Sequence, residues 1–359
     1  MHEGVARPFL NLARGLFSED YTDSIVCFKC GKTLVSQIEP TTGISPIIAE
    51  SKNDLMRGIR DCEPDYVVCD DEIQNLKLLN YIDRRTAMTV AYAQILSGSH
   101  IFSSCFETQF LPFEQRLKFR LAKLSPLSVV SFRYTRCLRR CDLVLANSNA
   151  TATFLHVIYN VEPTEIVYPP VDTEIFRPSV KVNDSKEIAL YLGSHGGDTQ
   201  REIVEEIVDI GTQCGYGINT FGNSSLLSGL KKTYPRLTVN SNLEDEQLAN
   251  LYSRSRITIC PQKWELFGYV AVESMACGTP VLAFNCMGYR DSVLDGRTGF
   301  LKNNRCEFLR TLHTVLTEGV GLLPEEELRR HVVDNFSISS STKKLLMALC
   351  SRNSNKRRT

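Results

Sequence analysis

The stretch Pro261-Gln262-Lys263-Trp264-Glu265-Leu266-Phe267-Gly268-Tyr269-Val270-Ala271-Val272-Glu273-Ser274-Met275-Ala276-Cys277-Gly278-Thr279-Pro280 constrains this chain more than any other. The run ITIC before it is β-rich, the segment from Tyr269 to Cys277 is helical in composition, Gly278 stops that helix, and VLAF starts another strand. Phe267-Gly268 falls at the helix start, where unpaired backbone N–H groups and the positive end of the helix dipole can hold a phosphate. Glu273 follows about one turn later. Helical side chains lean back toward the N-terminus, so its carboxylate can meet a ligand whose phosphate sits on the amides. An ionised carboxylate accepts through two oxygens and offers no donor, which matches the vicinal diol of a ribose. Glu265 lies on the loop before the helix and can face the other end of the same ligand. The plainer alternative is an ordinary βαβ crossover, with both glutamates as surface charges and both glycines as helix caps.

The rest of the chain repeats this strand-and-helix alternation. SIVCF, ISPII, DYVVC, AMTVAYAQI and DLVLA read as strands, with helical stretches at 5–17, 51–60, 72–80 and 113–124. Ile166-Val167-Tyr168-Pro169-Pro170-Val171-Asp172 is a proline-marked extended stretch suited to a linker. A second alternation follows: EIALYLG, GINTFG, LTVN, RITIC and VLAF as strands, with helices near 200–212, 224–233, 245–254 and 269–277. The pattern predicts an α/β protein of two Rossmann-like, doubly wound parallel-sheet domains facing a cleft, with ligands at the carboxyl ends of the strands. The expected division is an N-terminal domain over 1–168, a linker over 169–178, a second domain over 179–335, and a C-terminal helix with a basic tail over 336–359.

A length of 359 residues suffices for two domains with separate cores, and a hydrophobic share of 43% agrees with globular folding. With 41 basic and 41 acidic residues, recognition of nucleic acid by global charge is excluded, and any electrostatic recognition is local. No run of eighteen apolar residues occurs, and Met1-His2-Glu3 does not open like a secretory leader, so the expected location is cytoplasmic. Thirteen scattered cysteines suit reduced thiols. Cys27-Phe28-Lys29-Cys30 has the two-residue gap of zinc and redox sites but no second such pair; Cys137 and Cys141 are expected to share one face of a packed helix. Both pairs read as structural thiols.

The wording ELFGYVAVE, followed by SMACGTPV, resembles the E-x-F-G-x-x-x-x-E signature of glycosyltransferase family 4, a group of retaining enzymes, and matches its spacing without a gap. LVLANSNATATFL resembles the last strand of that family's N-terminal domain, and IVYPPVDTEIFRP resembles its interdomain linker. The resemblance covers essentially the whole chain, and its specific part is the second half. It implies a GT-B fold and transfer of a sugar from a nucleotide-diphosphate donor to an acceptor hydroxyl with retention, in cell-envelope or glycoconjugate synthesis. It also implies a donor site made of Glu273, Phe267, Gly268, Tyr269, Val270, Lys263, Gly193 and Ser194, with Glu265 positioning the sugar hydroxyls. On the acceptor side it points to Gly4 and Gln94, and His100 would orient the acceptor or share its proton. A loop histidine in contact with solvent is the equal alternative. No D-x-D triplet occurs, and the family generally works without a metal, so neither metal nor cofactor is expected.

The chain departs from the family in two places. His2-Glu3-Gly4-Val5-Ala6-Arg7 already resembles the glycine loop that normally follows a first strand, so that strand is missing from this sequence: either an apolar extension lies upstream, as expected, or the N-terminal sheet lacks its usual central strand and is weakened. At Gly193-Ser194-His195-Gly196-Gly197-Asp198-Thr199-Gln200-Arg201 the usual Arg and Lys are absent. Backbone amides can still hold a diphosphate there, and Arg201 and Lys263 are the nearest cations, each equally readable as a surface charge. GSHGG lacks the spacing of a dinucleotide fingerprint.

Between Arg116 and Arg140 lie Arg116, Lys118, Arg120, Lys123, Arg133, Arg136, Arg139 and Arg140 with no acidic residue, interleaved with apolar side chains. Such a surface rests on anionic lipid, each basic residue adding about 1 kcal/mol near the membrane, or it is simply a solvated helix face. The expected partners are therefore a nucleotide sugar, a glycan or lipid-linked acceptor, and an anionic membrane in peripheral contact. Two further readings stay open: a sugar-nucleotide epimerase on the same architecture, and a non-catalytic protein that binds nucleotide or glycan without turnover.

Overall fold

The computed structural model describes the chain from Glu3 to Lys356, apart from residues 20, 22–24, 29–37, 41, 43, 95, 97–126, 180–185, 194–200, 223–229, 235–236, 242 and 320–323. The contacts divide it into two compact units. One is built from residues 1–98, 127–172 and 336–359, the other from residues 173–335.

The first unit opens with helix α1 (Glu3–Ser18), strands β1 (Val26–Phe28) and β2 (Ile47–Ala49), helix α2 (Lys52–Asp61), strand β3 (Tyr66–Asp70) and helix α3 (Ile73–Leu79). Strand β4 (Met88–Ala93), helix α4 (Leu127–Leu138), strand β5 (Leu143–Ala146), helix α5 (Asn149–Tyr159) and strand β6 (Glu165–Ile166) follow. Local chemistry sets the ends of these elements. Ser51 Oγ accepts from the Asp54 amide at 3.2 Å while Asp54 accepts from the Ser51 amide at 3.1 Å, a reciprocal cap that starts α2. Ser148 caps α5 by accepting from the Thr151 amide at 3.0 Å, and Asn160 ends it in a left-handed conformation. Among the described residues, β3-β4-β5-β6 form one parallel sheet, and β1-β2 form a separate parallel pair. Strand β4, MTVAYA, is buried along its whole length, as an interior strand covered on both faces must be.

The second unit contains strand β7 (Glu187–Tyr191), helix α6 (Arg201–Gln213), strands β8 (Gly217–Phe221) and β9 (Thr238–Asn240), helix α7 (Asp245–Ser253), strand β10 (Thr258–Cys260) and helix α8 (Tyr269–Ala276). Strand β11 (Val281–Phe284), the short helix α9 (Tyr289–Ser292), strand β12 (Gly299–Lys302), and helices α10 (Arg305–Thr317) and α11 (Glu325–Phe336) complete it. The sheet runs β12-β11-β10-β7-β8-β9 with every pairing parallel. Numbered from β7, that is the doubly wound order 3-2-1-4-5-6, whose chain direction reverses between β7 and β10. Ile188, Leu190, Ile207, Ile259, Leu282, Phe308 and Leu312 fill its core, and the Phe284 and Phe308 rings lie 4.7 Å apart.

Helix α12 (Ile338–Lys356) belongs to the first unit. Leu345, Ala348 and Leu349 pack with Leu12 of α1 against Met88, Val90, Tyr92, Leu143 and Leu145 of the sheet. Gly15 lets the two helices approach, since a Cβ there would stand 2.0 Å from Thr342 Oγ1. Asn11 donates to Pro170 O at 2.9 Å, and Arg14 pairs with Asp172, so α1 also holds the end of the β6 segment.

Several sequence expectations change here. Helix α1 begins at Glu3, which puts Gly4 inside a helix and not in a loop. Helix α4 ends at Leu138, so Cys141 lies beyond it, its thiol directed at the Cys137 carbonyl 3.6 Å away. Cys30, His100 and the expected helix 113–124 lie outside the described residues. Strands β6 and β12 and helices α9, α10 and α11 have no counterpart in the sequence reading. Among the described residues no helix is long and apolar enough to cross a membrane.

Candidate functional site

In a sheet of this order the crevice for a ligand opens at the carboxyl ends of the strands flanking the reversal. The ladder between β7 and β10 pairs Ala189 with Thr258 and Leu190 with Ile259. Just beyond it, Gln262 takes over from the backbone. Its side chain is fully buried; Nε2 donates to Tyr191 O at 2.8 Å, and Oε1 accepts from the Tyr289 hydroxyl at 3.1 Å. One amide thus ties the end of β7 to the end of β10 and to α9. Sequence reasoning missed Gln262, although a glutamine directly after the apolar ITIC and a proline was a signal: a buried amide needs partners.

The turn Glu265–Gly268 is shaped from beneath by α9. The Gly288 amide donates to Glu265 O at 2.9 Å, and a Cβ on Gly288 would lie 2.3 Å from the Phe267 backbone. Gly268 is the N-cap of α8 with φ 85°, and a Cβ on it would stand 2.8 Å from the Tyr289 ring. Only glycine meets both demands. It brings no capping side chain, and its carbonyl accepts from the Ala271 and Val272 amides at 3.0 and 3.3 Å, so α8 starts on the glycine with the positive end of its dipole at the turn.

Glu265 faces the amides of this turn. Burial pushes its carboxyl above the ordinary range, outweighing the pull of the Gly268, Phe267 and Leu266 amides; the Phe267 contact is long, at 3.5 Å. The Phe267 and Gly268 amides are thus turned toward Glu265.

Glu273 is 1% exposed, and its Oε2 accepts from the Tyr252 hydroxyl at 3.2 Å. Burial, then the charge of Glu273, pushes the Tyr252 hydroxyl well above its usual range, so that it stays a donor. Ser274 Oγ contacts Thr258 Oγ1 at 2.7 Å and donates to Thr279 O at 2.9 Å, and Thr279 Oγ1 donates to Tyr252 O at 2.7 Å. These bonds fix α8 against β10 and α7.

The other expected residues are scattered. Phe267 is buried with its ring 6.1 Å from that of Tyr269; Tyr269 and Val270 are half-buried. Lys263 is exposed, with Nζ 5.2 Å from the centre of the Phe284 ring. Gly193 follows β7 with φ 78°, whereas Ser194 lies outside the described residues. Arg201 is the first residue of α6, and its side chain is not described. Gln94 and Gly4 belong to the first unit. Gln94 follows β4, its amide donating to Asp71 Oδ1 at 2.9 Å. Among the described residues no group of His, Cys, Asp or Glu is placed to hold a metal ion.

Residues 228–333 match the family model described as Glycosyl transferases group 1. The chain is 28% identical over 209 residues to the D-inositol 3-phosphate glycosyltransferase of Nocardiopsis dassonvillei, covering 50% of this chain and 49% of that protein. It is 29% identical over 189 residues to the protein of the same name from Segniliparus rotundus, covering 45% and 40%. The chain spans about half the length of the curated relatives it matches. Among solved structures it superposes on a glycosyltransferase from Rickettsia africae with TM-score 0.72 at 16% identity, over 99% of this chain and 96% of that one. It superposes on Anabaena HepE in complex with UDP-glucose with TM-score 0.66 at 16% identity, over 96% and 95%. The fold is GT-B, and the resemblance read from ELFGYVAVE holds.

Proposed function

We propose that this chain, with its glycosyl transferases group 1 segment at residues 228–333, moves a sugar from a nucleotide-diphosphate donor to an acceptor hydroxyl with retention at the anomeric carbon. The observation that carries the reading is the glycine-capped start of α8 at the strand reversal of a 3-2-1-4-5-6 sheet, with Glu265 before it and Glu273 one turn into it. In this reading the N-terminal end of α8 receives the diphosphate and stabilises the charge that grows on it as the sugar departs, a pre-placed dipole acting where charge develops. Glu273, held by Tyr252, binds the ribose diol. Glu265 orients the sugar hydroxyls, with Lys263 and Arg201 as the cations in reach of the loop ends. Gln94 and His100 serve the acceptor, which is a glycan or a lipid-linked sugar. The exposed Arg133 and Arg136 of α4, beside the exposed Phe132, support docking on an anionic membrane.

The Anabaena neighbour was solved with UDP-glucose, which makes UDP-glucose the first donor to try. Incubation with a panel of nucleotide sugars and hydroxyl acceptors tests the reading. Transfer, or slow donor hydrolysis, supports it; epimer formation moves the protein to the epimerases; tight donor binding without turnover identifies a binding protein.

A further inference from the structure

Asp71 is a buried carboxylate that the donor site does not use. It lies at the end of β3 with 0% exposure, in the unit that does not contain α8. A carboxylate is removed from water at high cost unless donors replace the water. Here three donors do so: the Gln94 amide at 2.9 Å, the Leu96 amide at 2.6 Å and the Tyr134 hydroxyl at 2.6 Å. Two of the three come from the few residues that leave β4. Leu96 is itself buried and left-handed, at φ 51°, a conformation that a γ-branched side chain adopts only when its surroundings impose it. Tyr134, from α4, is locked in turn by an edge-to-face contact with Tyr159, ring centres 4.7 Å apart.

Against this rigid frame one group is left over. Gln94 Nε2 is buried and has no hydrogen-bond partner among the described residues. A buried unpaired donor is costly and calls for an explanation, and this one stands at the carboxyl end of an interior strand of a parallel sheet, where ligands bind. Asp70 and Asp71, both buried, stand at the end of the neighbouring strand β3, and two carboxylates there disfavour an anion. An uncharged oxygen fits.

We propose that Asp71 and Tyr134 are positioning residues that hold the Gln94 and Leu96 amides so that Gln94 Nε2 donates to a neutral hydroxyl of a polyol or sugar ligand. The assignment deepens the transferase reading and rests on it for the role of that ligand as acceptor. It also specifies the ligand: the portion meeting Gln94 carries hydroxyls and no phosphate.

The test uses full-length protein labelled with 15N-glutamine, in which the side-chain amides of Gln94 and Gln262 report on the two units separately. Glucose, myo-inositol and glycerol are titrated as polyol probes and UDP as the donor probe. The expected result is a saturable shift of the Gln94 side-chain signal with at least one polyol, weakened at least tenfold in Tyr134→Phe and in Asp71→Asn, with the UDP response of Gln262 unchanged. A Gln94 side-chain signal kept at its unliganded position shows the first unit of the variants to be folded, and Tyr134→Phe, which loses a single oxygen, decides the matter if Asp71→Asn does not fold. A merely structural role would lower thermal stability in both variants without changing polyol affinity, and that outcome overturns the proposal. So does a Gln94 signal that no polyol moves. A Gln262 signal insensitive to UDP and to every nucleotide sugar, with Gln94 still responding, overturns the transferase reading and leaves the polyol site standing.

Discussion

The backbone of Phe267 runs so close to Gly288 that a methyl group on the glycine would lie 2.3 Å from both the Phe267 nitrogen and its Cα. The contact is backbone against backbone, and neither partner can rotate away. Gly288→Ala is therefore expected to push the Glu265–Gly268 turn out of place. Overpacking of this kind costs about 1–3 kcal/mol of stability, and donor binding should fall with it. Gly217→Ala is the control, because a Cβ there meets nothing nearer than 3.6 Å. Thermal unfolding with and without UDP-glucose separates the two variants: only the first should lose the ligand-induced rise in Tm.

Tyr252 and Glu273 form a second testable pair. Tyr252→Phe removes the hydroxyl 3.2 Å from a nearly inaccessible carboxylate. It should cost about 1.5–3 kcal/mol, the range for a hydrogen bond to a charged group, read as a shift of the urea midpoint. Glu273→Ala should weaken donor binding by about the same amount, read by calorimetry. Unchanged donor affinity in a folded Glu273→Ala protein would remove Glu273 from the site.

Glu265 gives a pH signature. Burial raises its folded carboxyl above the ordinary glutamate value of 4.5, so between that value and the raised one the folded protein binds more protons than the unfolded chain. Stability then decreases with rising pH across this window. The contribution is complete below the ordinary glutamate value and is lost as pH passes the raised one. Glu265→Gln cannot ionise, so its Tm should depend less steeply on pH than that of the unaltered protein, the two curves diverging as pH rises from about 4 toward neutrality. Parallel curves would mean that Glu265 is not desolvated.

The four arginines of α4 and the turn after it are not equivalent. Arg139 and Arg140, in the turn, donate to Asn160 O at 2.9 Å and to Asn80 Oδ1 at 3.2 Å, whereas Arg133 and Arg136 of α4 flank the exposed Phe132 without such bonds among the described residues. If this face docks on anionic lipid, Arg133→Gln with Arg136→Gln should lower sedimentation with phosphatidylserine vesicles more than Arg139→Gln with Arg140→Gln. Added salt should weaken binding of the unaltered protein, since charges reach only about 8 Å at physiological ionic strength. Binding indifferent to salt and to lipid charge would leave the face merely solvated.

The site was partly legible because its signals are local. ITIC, ELFGYVAVE and VLAF state a strand, a glycine-started helix and a strand within one short window, and the structure places β10, α8 and β11 there. Partnerships across the sequence carry no such signal. Gln262 acquires its role only when β10 lies beside β7 and Tyr289 comes beneath, and Asp71 only when Gln94, Leu96 and Tyr134 converge on it. Glu273 was legible as a position, while its burial under Tyr252 was not. GFLK escaped notice as β12 because a four-residue strand that starts on glycine is too short for a period-two pattern. Gly4 was misplaced because glycine suggests a loop, and here the amphipathic packing of α1 with α12 overrides that weak preference.

Helix α12 has a consequence for how the molecule is made. The first unit draws its core from both ends of the chain, with roughly 160 residues of the other unit threaded between Asp172 and Phe336. At the usual synthesis rate of about 5–20 residues per second, the face of the sheet made by Met88, Val90, Leu143 and Leu145 waits on the order of 10–40 s before Leu345 and Leu349 exist to cover it. The unit translated second is thus the first that can finish folding. The unit translated first must be kept from aggregating until α12 has emerged.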